Sequence, residues 1–346
     1  MKSLIACLLA ITSLLASVTV HAGEQVGTLT QVDGTVVLYS EPSKTLQKES
    51  SGLPHALFEG EYFLVRSAKA GDRVNLGNVV RTNPGAKARL VYDNGDQFNV
   101  GPASSFRIFW DKDTAEGKTR MDLAYGKLRG IIAKGGPRSR LQIRTKAATM
   151  GVRGTDFFIA KSGATGETEV SILRGEVEVK PAAPASRAIE VKTGFSATVA
   201  TAPAAPAPEK KTGKSTDKAE KPAPLVVPVV ELRKTTQEDL IGIQKSSRIE
   251  APAQAPAELP KEVAKKIAEL ETQAVKTTLQ DVKRHDPKLF AKLEQQQIQN
   301  TDQINTTTVE TLIQVAPKAP ERRKPSLTEL ENLEQGAYDK YFKAVD

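Results

Sequence analysis

Residues 145–180 read TKAATMGVRGTDFFIAKSGATGETEVSILRGEVEVK. After Gly151 and Gly154, which flank Val152 and Arg153, apolar and polar residues alternate with the two-residue period of a half-buried strand. The two glycines read as backbone corners. Gly163 and Gly166 punctuate a turn, Val170 and Ile172 share a period with Val177 and Val179, and Gly175 breaks the run where the chain must reverse again. The stretch predicts strand, turn, strand, turn, strand.

Outward from it the same texture continues. Gly27 to Tyr39 alternates about Leu29, Val32, Val36 and Leu38, with Asp33-Gly34 as a hairpin signal between its halves. Ser40 to His55 is a long polar insertion, and strand character resumes at Glu61–Arg66 and Ala70–Val74. Asn83-Pro84-Gly85 is a turn, and Asp93-Asn94-Gly95-Asp96 is a second hairpin signal. Phe106, Ile108 and Trp110 share one face and read as core. Glycine-polar-apolar steps at Gly34, Gly126 and Gly175 recur at irregular spacing, which argues for many short strands in a sandwich, barrel or β-roll rather than a fixed-period solenoid.

At Gly151–Phe157 and Val170–Val179 the chain resembles the FecR domain family, named for the ferric-citrate regulator of bacterial envelopes. The resemblance extends upstream through Ala70–Val74, Val79–Thr82, Ala88–Gly95 and Gly126–Gly130, and covers roughly Gly27 to Val199. It implies an all-β N-terminal domain, a FecR-like β-roll, β-helix-like or sandwich body. Members of the family are transmembrane regulators that relay a receptor's occupancy to a cytoplasmic sigma factor. This sequence is expected to depart from them, with neither a cytoplasmic region ahead of its apolar N-terminal run nor a later membrane span. A soluble accessory of such a sensing system is the role left open by the resemblance.

The N-terminus carries Lys2, an uncharged run from Ser3 to Val20, and Val20-His21-Ala22 before Gly23, the layout of a signal peptide. Export to the periplasm is expected. An uncleaved anchor is the competing reading, and Cys7 lies too early in the apolar run to be a lipidated cysteine. Cys7 is the single cysteine, so the chain beyond residue 22 has no thiol and no disulfide. With His55 and His285 as its histidines, that chain offers neither a zinc set nor a catalytic triad. No metal, no cofactor and no catalytic residue is expected. The pairs Asp93, Asp96 and Asp111, Asp113 read as turn formers rather than acid–base or calcium sites.

The formal net charge is +8, and it is concentrated. Arg120, Lys127, Arg129, Arg138, Arg140 and Arg144 fall in a segment where Asp122 is the one acid. They read first as the solvent side of strands whose other side carries Leu128, Ile131, Leu141 and Ile143. As a basic face they would attract an anionic envelope polymer or an envelope protein, with peripheral membrane contact and no nucleic acid. Gly151, Arg153, Gly154, Thr155 and Asp156 form the candidate binding or structural motif. Arg153 would either clamp a ligand carboxylate or pair internally with Asp156 or Asp93 and fasten the corner, the internal pairing being preferred.

Beyond Val199 the texture changes. The expected layout is a signal peptide over 1–22, the β domain over 23–200, a disordered Pro/Ala/Lys-rich linker over 201–258, and a partly disordered helical region over 259–346. The linker lacks the apolar periodicity needed to bury a core. Lys261 to Lys283 reads as a helix with Val263, Ile267, Leu270 and Ala274 on one face, and Asp286-Pro287 as the cap and start of the next. Ser326 and Glu329 read as a capping box ahead of a further helix. These helices would dock on the β domain, pair with a partner, or stay partly disordered.

Overall fold

The computed structural model describes residues 25–45, 54–111, 118–136, 140–183, 186–200, 229–249 and 259–319. The expected signal peptide, Arg138 and the capping box at Ser326 lie outside the described residues.

The chain shuttles between two sheets. β1 (Gln25–Asp33) starts in the first sheet; β2 (Val36–Ser43), β3 (His55–Phe58) and β4 (Glu61–Ser67) build the second. β5 (Arg73–Asn75) returns to the first, β6 (Val79–Thr82) crosses to the second, and β7 (Lys87–Val91) with β8 (Gln97–Val100) returns again. β9 (Ser104–Asp111) lies in the second sheet. β10 (Lys118–Ile131) belongs to both: its first half pairs with β9, its second half with β8. β11 (Leu141–Arg144) and β12 (Ala148–Val152) extend the second sheet, β13 (Asp156–Lys161) and β14 (Thr168–Arg174) the first. β15 (Glu176–Pro181) and β16 (Ile189–Lys192) close the second sheet, while β17 (Phe195–Ala200) and β18 (Val229–Lys234) close the first.

The strand orders follow. The first sheet runs β5-β1-β7-β8-β10-β13-β14-β17-β18, and the second runs β3-β4-β2-β6-β9-β10-β11-β12-β15-β16. All pairs are antiparallel except β10 with β11. Between the sheets lies one apolar core, with Leu29, Leu90, Phe98, Phe157 and Ile172 from the first and Leu38, Phe106, Ile108, Met150 and Val179 from the second. The protein is a sandwich whose sheets are stitched together by repeated crossings.

Asp33-Gly34 is therefore not a hairpin turn. β1 and β2 pair with different partners, and Gly34 (φ +70°) redirects the chain from one sheet to the other. Asp93–Asp96 does close a hairpin, between β7 and β8. The difference is that alternation fixes which residues face the core but not which strand lies alongside.

The sharpest crossing is inside β10, at Gly126 (φ +101°), where an added Cβ would sit 2.3 Å from the Cα of Ser104. A side chain there would need both a left-handed backbone and a displaced neighbouring strand. The register shifts between Leu123 and Tyr125 as the strand leaves β9.

Among the described residues, three helices, α1, α2 and α4, lie on the outer face of the first sheet and a fourth, α3, packs against α2 and α4, giving three layers. α1 (Gln237–Ser247) begins at a capping box formed by Thr236 and Asp239. α2 (Lys261–His285) follows the expected apolar spacing and is extended by buried Thr278, Asp281 and Val282. Asp286 caps α3 (Pro287–Glu294) by accepting a hydrogen bond from the Leu289 N–H. Asn300 and Gln303 form the box that starts α4 (Thr301–Ile313). Of the helices expected from sequence, α2 docks on the β domain with α3 packed on it, and the Ser326 helix lies outside the described residues.

Residues 229–249 correct the expected linker. Instead of belonging to a disordered tether over 201–258, they form β18, which pairs with β17 along its whole length, and α1, which buries Leu240 and Ile243 against Phe158, Leu173 and Val309. The segment is too short to build a core alone and is ordered by the sheet edge and helix it meets. The remainder of that expected linker lies outside the described residues.

Candidate functional site

The face of the first sheet turned toward the helices is polar. In β7, Ala88 and Leu90 enter the sandwich core, so Arg89 between them points to the helical layer and is fully buried. Its guanidinium donates to Asn99 Oδ1 (3.1 Å) beside it, to Thr301 Oγ1 (2.6 Å) on α4, and to the carboxylate of Asp302; Glu271 of α2 lies at 3.4 Å. Arg174 reaches Asp281 of α2 at 2.9 Å, and the other Asp281 oxygen accepts from the Lys134 N–H at 3.0 Å. Gln97 donates to Thr278 at 3.0 Å. Charge-assisted bonds thus fix the helices' register on the sheet, with small apolar contacts such as Val91 against Leu270 and Ala274 between them.

The glycine motif lies at one such crossing. Gly151 is a strand residue of β12, opposite Glu178, rather than a corner. Gly154 (φ +71°) is the corner, and a Cβ there would come within 2.2 Å of the Lys134 Cα. Thr155 is buried beneath it, its carbonyl accepting the Ile132 N–H at 2.9 Å. Arg153 is exposed and pairs with neither Asp156 nor Asp93. That internal pairing is corrected: Asp156 is bound by Arg129, whose Nε and Nη2 donate to its two oxygens at 2.9 and 2.7 Å, and Asp93 lies 3.5 Å from Lys266. The motif fastens its corner through Asp156, with Arg129 as the cation.

The expected basic face is not one surface. Arg129 is 2 % exposed, because β10 changes sheets at Gly126 and Arg129 then faces α4, where the Asn305 carbonyl meets it, instead of solvent. Lys127 is exposed on that same side, beside Ser246 of α1. Arg120 lies on the second sheet, over the Phe109 ring (4.3 Å) and 3.2 Å from Asp122. Arg140, just ahead of β11, and Arg144, its last residue, are both exposed.

Arg144 contributes instead to a concavity. Where β10 bends, a cavity of about 730 Å³ opens between the β3–β4 turn, β10 itself, the β11–β12 turn and the β13–β14 turn. Its walls include Phe58, Glu59, Tyr125, Arg144, Lys146 and Lys161. Lys161 is 7 % exposed and donates to the Ala124 carbonyl. Burial holds its amine below the usual lysine range, the nearby Lys146 ammonium lowers it further, and Glu59 acts in the opposite sense.

Residues 78–178 match the FecR protein family. The matched segment begins beside β6, contains the bend of β10 and both strands flanking Gly154, and ends within β15. Two crystal structures of a proposed anti-sigma factor from Parabacteroides distasonis ATCC 8503, at 2.50 and 1.65 Å, are similar at 16 % and 15 % identity with a TM-score of 0.30 each. In each case the similarity covers 35 % of this chain and 54 % of the other, so the chain spans about half the length of the structures it matches. No curated protein matches. None of the described helices is long and apolar enough to cross a membrane.

Sequence reading missed Arg89, Arg174, Asp281 and Asp302 as the groups that join the layers. A signal existed in α2, where Leu270, Ala274, Thr278 and Asp281 follow one another by four, four and three residues, a stripe that starts apolar and ends polar. A helix with such a stripe requires a polar surface to cover.

Proposed function

We propose that the protein is an exported, non-enzymatic FecR-domain protein that acts in the bacterial envelope as a binding or scaffolding module. Its partner is an envelope protein or an anionic envelope polymer, and its contact with membranes is peripheral. The observation that supports this reading most directly is the cation-rimmed cavity at the bend of β10, whose wall falls mostly inside the matched segment. A preformed concavity of this size, walled by β10 and three turns, suits retention of a ligand. The leader-like sequence over 1–22 supports export. Co-sedimentation of the purified protein with peptidoglycan sacculi, outer-membrane vesicles and envelope extracts tests the reading; retention by at least one is expected, and retention by none would sink it.

The match over 78–178 also favours a second reading, a soluble accessory of a FecR-type sensing system. Deletion would then change transcription in a manner that depends on a ferric-chelate receptor. An unchanged transcriptome would dismiss it.

A further inference from the structure

The floor of the β10 cavity is an ammonium with donors to spare. Among the described residues Lys161 makes one hydrogen bond, to the Ala124 carbonyl, and an ammonium carries three donors. Arg144 and Lys146 stand exposed at the rim, and neither pairs with a carboxylate among the described residues. The acids at the cavity are Glu59 and Asp122, and Asp122 is already 3.2 Å from Arg120. Positive charge therefore exceeds negative charge inside a space of about 730 Å³, a volume suited to a small ligand. Removing an ammonium from water costs free energy unless an anion or further acceptors replace the lost solvation.

The rest of the wall is not that of a bare ion site. Phe58 and Tyr125 are both half-buried and line the same space as Ser162 and Thr145; Phe58 also packs on Tyr39 and Phe63, and the Thr145 hydroxyl is already bonded to the Ala148 carbonyl, the Ala147 and Ala148 N–H groups and Thr168. Aromatic side chains beside the Ser162 hydroxyl, which accepts from the Thr165 N–H and keeps its own donor, suit a sugar ring, which has apolar C–H faces and a polar edge.

We propose that this cavity binds an oxyanion carried on a saccharide, with Lys161, Lys146 and Arg144 taking the oxyanion and Phe58 and Tyr125 flanking the ring. The inference rests on the reading of the protein as a binding module and names the ligand class of that site. Phosphate esters and uronate carboxylates share the required chemistry, and separate probes distinguish them.

Isothermal titration of the purified protein at neutral pH and low ionic strength, with glucose 6-phosphate, glucuronate, glucose and inorganic phosphate, provides the test. At least one charged sugar should bind about tenfold or more tightly than both glucose and inorganic phosphate, as expected for charge-assisted hydrogen bonds added to ring contacts. Lys161→Gln should weaken that binding about tenfold, with circular dichroism unchanged. Should that variant fail to fold, the exposed Lys146→Gln replaces it, and an affinity equal to that of the parent protein would overturn the assignment. Equal binding of glucose would overturn the role of charge, equal binding of inorganic phosphate the role of the sugar, and no binding of either charged sugar the whole proposal. Retention by envelope material with no binding of either charged sugar would remove this ligand class while leaving the binding-module reading intact.

Discussion

Arg129 and Asp156 form a two-pronged ion pair between β10 and β13, at 2.9 and 2.7 Å, with side chains 2 % and 1 % exposed. Both are sealed under α4, whose Asn305 carbonyl lies 3.5 Å from the same guanidinium. Removing one member strands a buried charge, whereas replacing both with apolar residues does not. Asp156→Ala should therefore lose roughly 3–5 kcal/mol in urea unfolding, and Arg129→Met with Asp156→Leu should recover most of it. A double variant as unstable as the single one would show that the pair is irreplaceable for this fold.

Arg153 should behave in the opposite way. It is exposed and lacks a carboxylate partner among the described residues, although it stands three positions from Asp156. Arg153→Ala should change unfolding free energy by no more than about 0.5 kcal/mol, as for most surface changes. A loss above about 2 kcal/mol would show that the corner depends on it.

Arg89 joins α2 and α4 to the sheet through Glu271 and Asp302. In Arg89→Met, those two carboxylates lose their shared cation while the apolar sandwich core remains intact. Amide exchange should accelerate in α2 and α4, by an opening free energy lowered roughly 2–4 kcal/mol, and stay slow in β8 and β13. Uniform acceleration across both layers would mean that sheets and helices open as one unit.

Lys161 sets a pH dependence whose sign follows from its environment. Its amine is held below the ordinary 10.5, chiefly by burial and then by Lys146, with Glu59 opposing. Between the lowered folded-state value and 10.5 the unfolded chain binds more protons, so the contribution of Lys161 to stability rises with pH through that window. Lys161→Met should remove this rise, measured as the difference between parent and variant melting temperatures across alkaline pH. A constant difference would show that Lys161 titrates normally.

The strands around Gly154 and Gly175 were legible because two constraints act locally: alternation sets the buried face, and positive φ selects glycine at the crossings. The same reasoning misplaced Arg129, since alternation assigns a residue to a face without saying whether water or a helix covers it. It misread 229–249 for a related reason, because a strand that completes a sheet edge and a helix that rests on another element need little apolar content of their own.

The amino-acid pattern alone determined the β character of the front of the chain, its resemblance to FecR domains and the start of α2 and α3, since each follows from short-range periodicity, capping or a contiguous motif. Only the tertiary structure decided which strands lie together, which arginines are buried, and where a cavity forms. Those outcomes depend on residues far apart in the chain, such as Arg89 with Asp302 or Phe58 with Lys161, whose encounter is set by how the β10 crossing at Gly126 joins the two sheets.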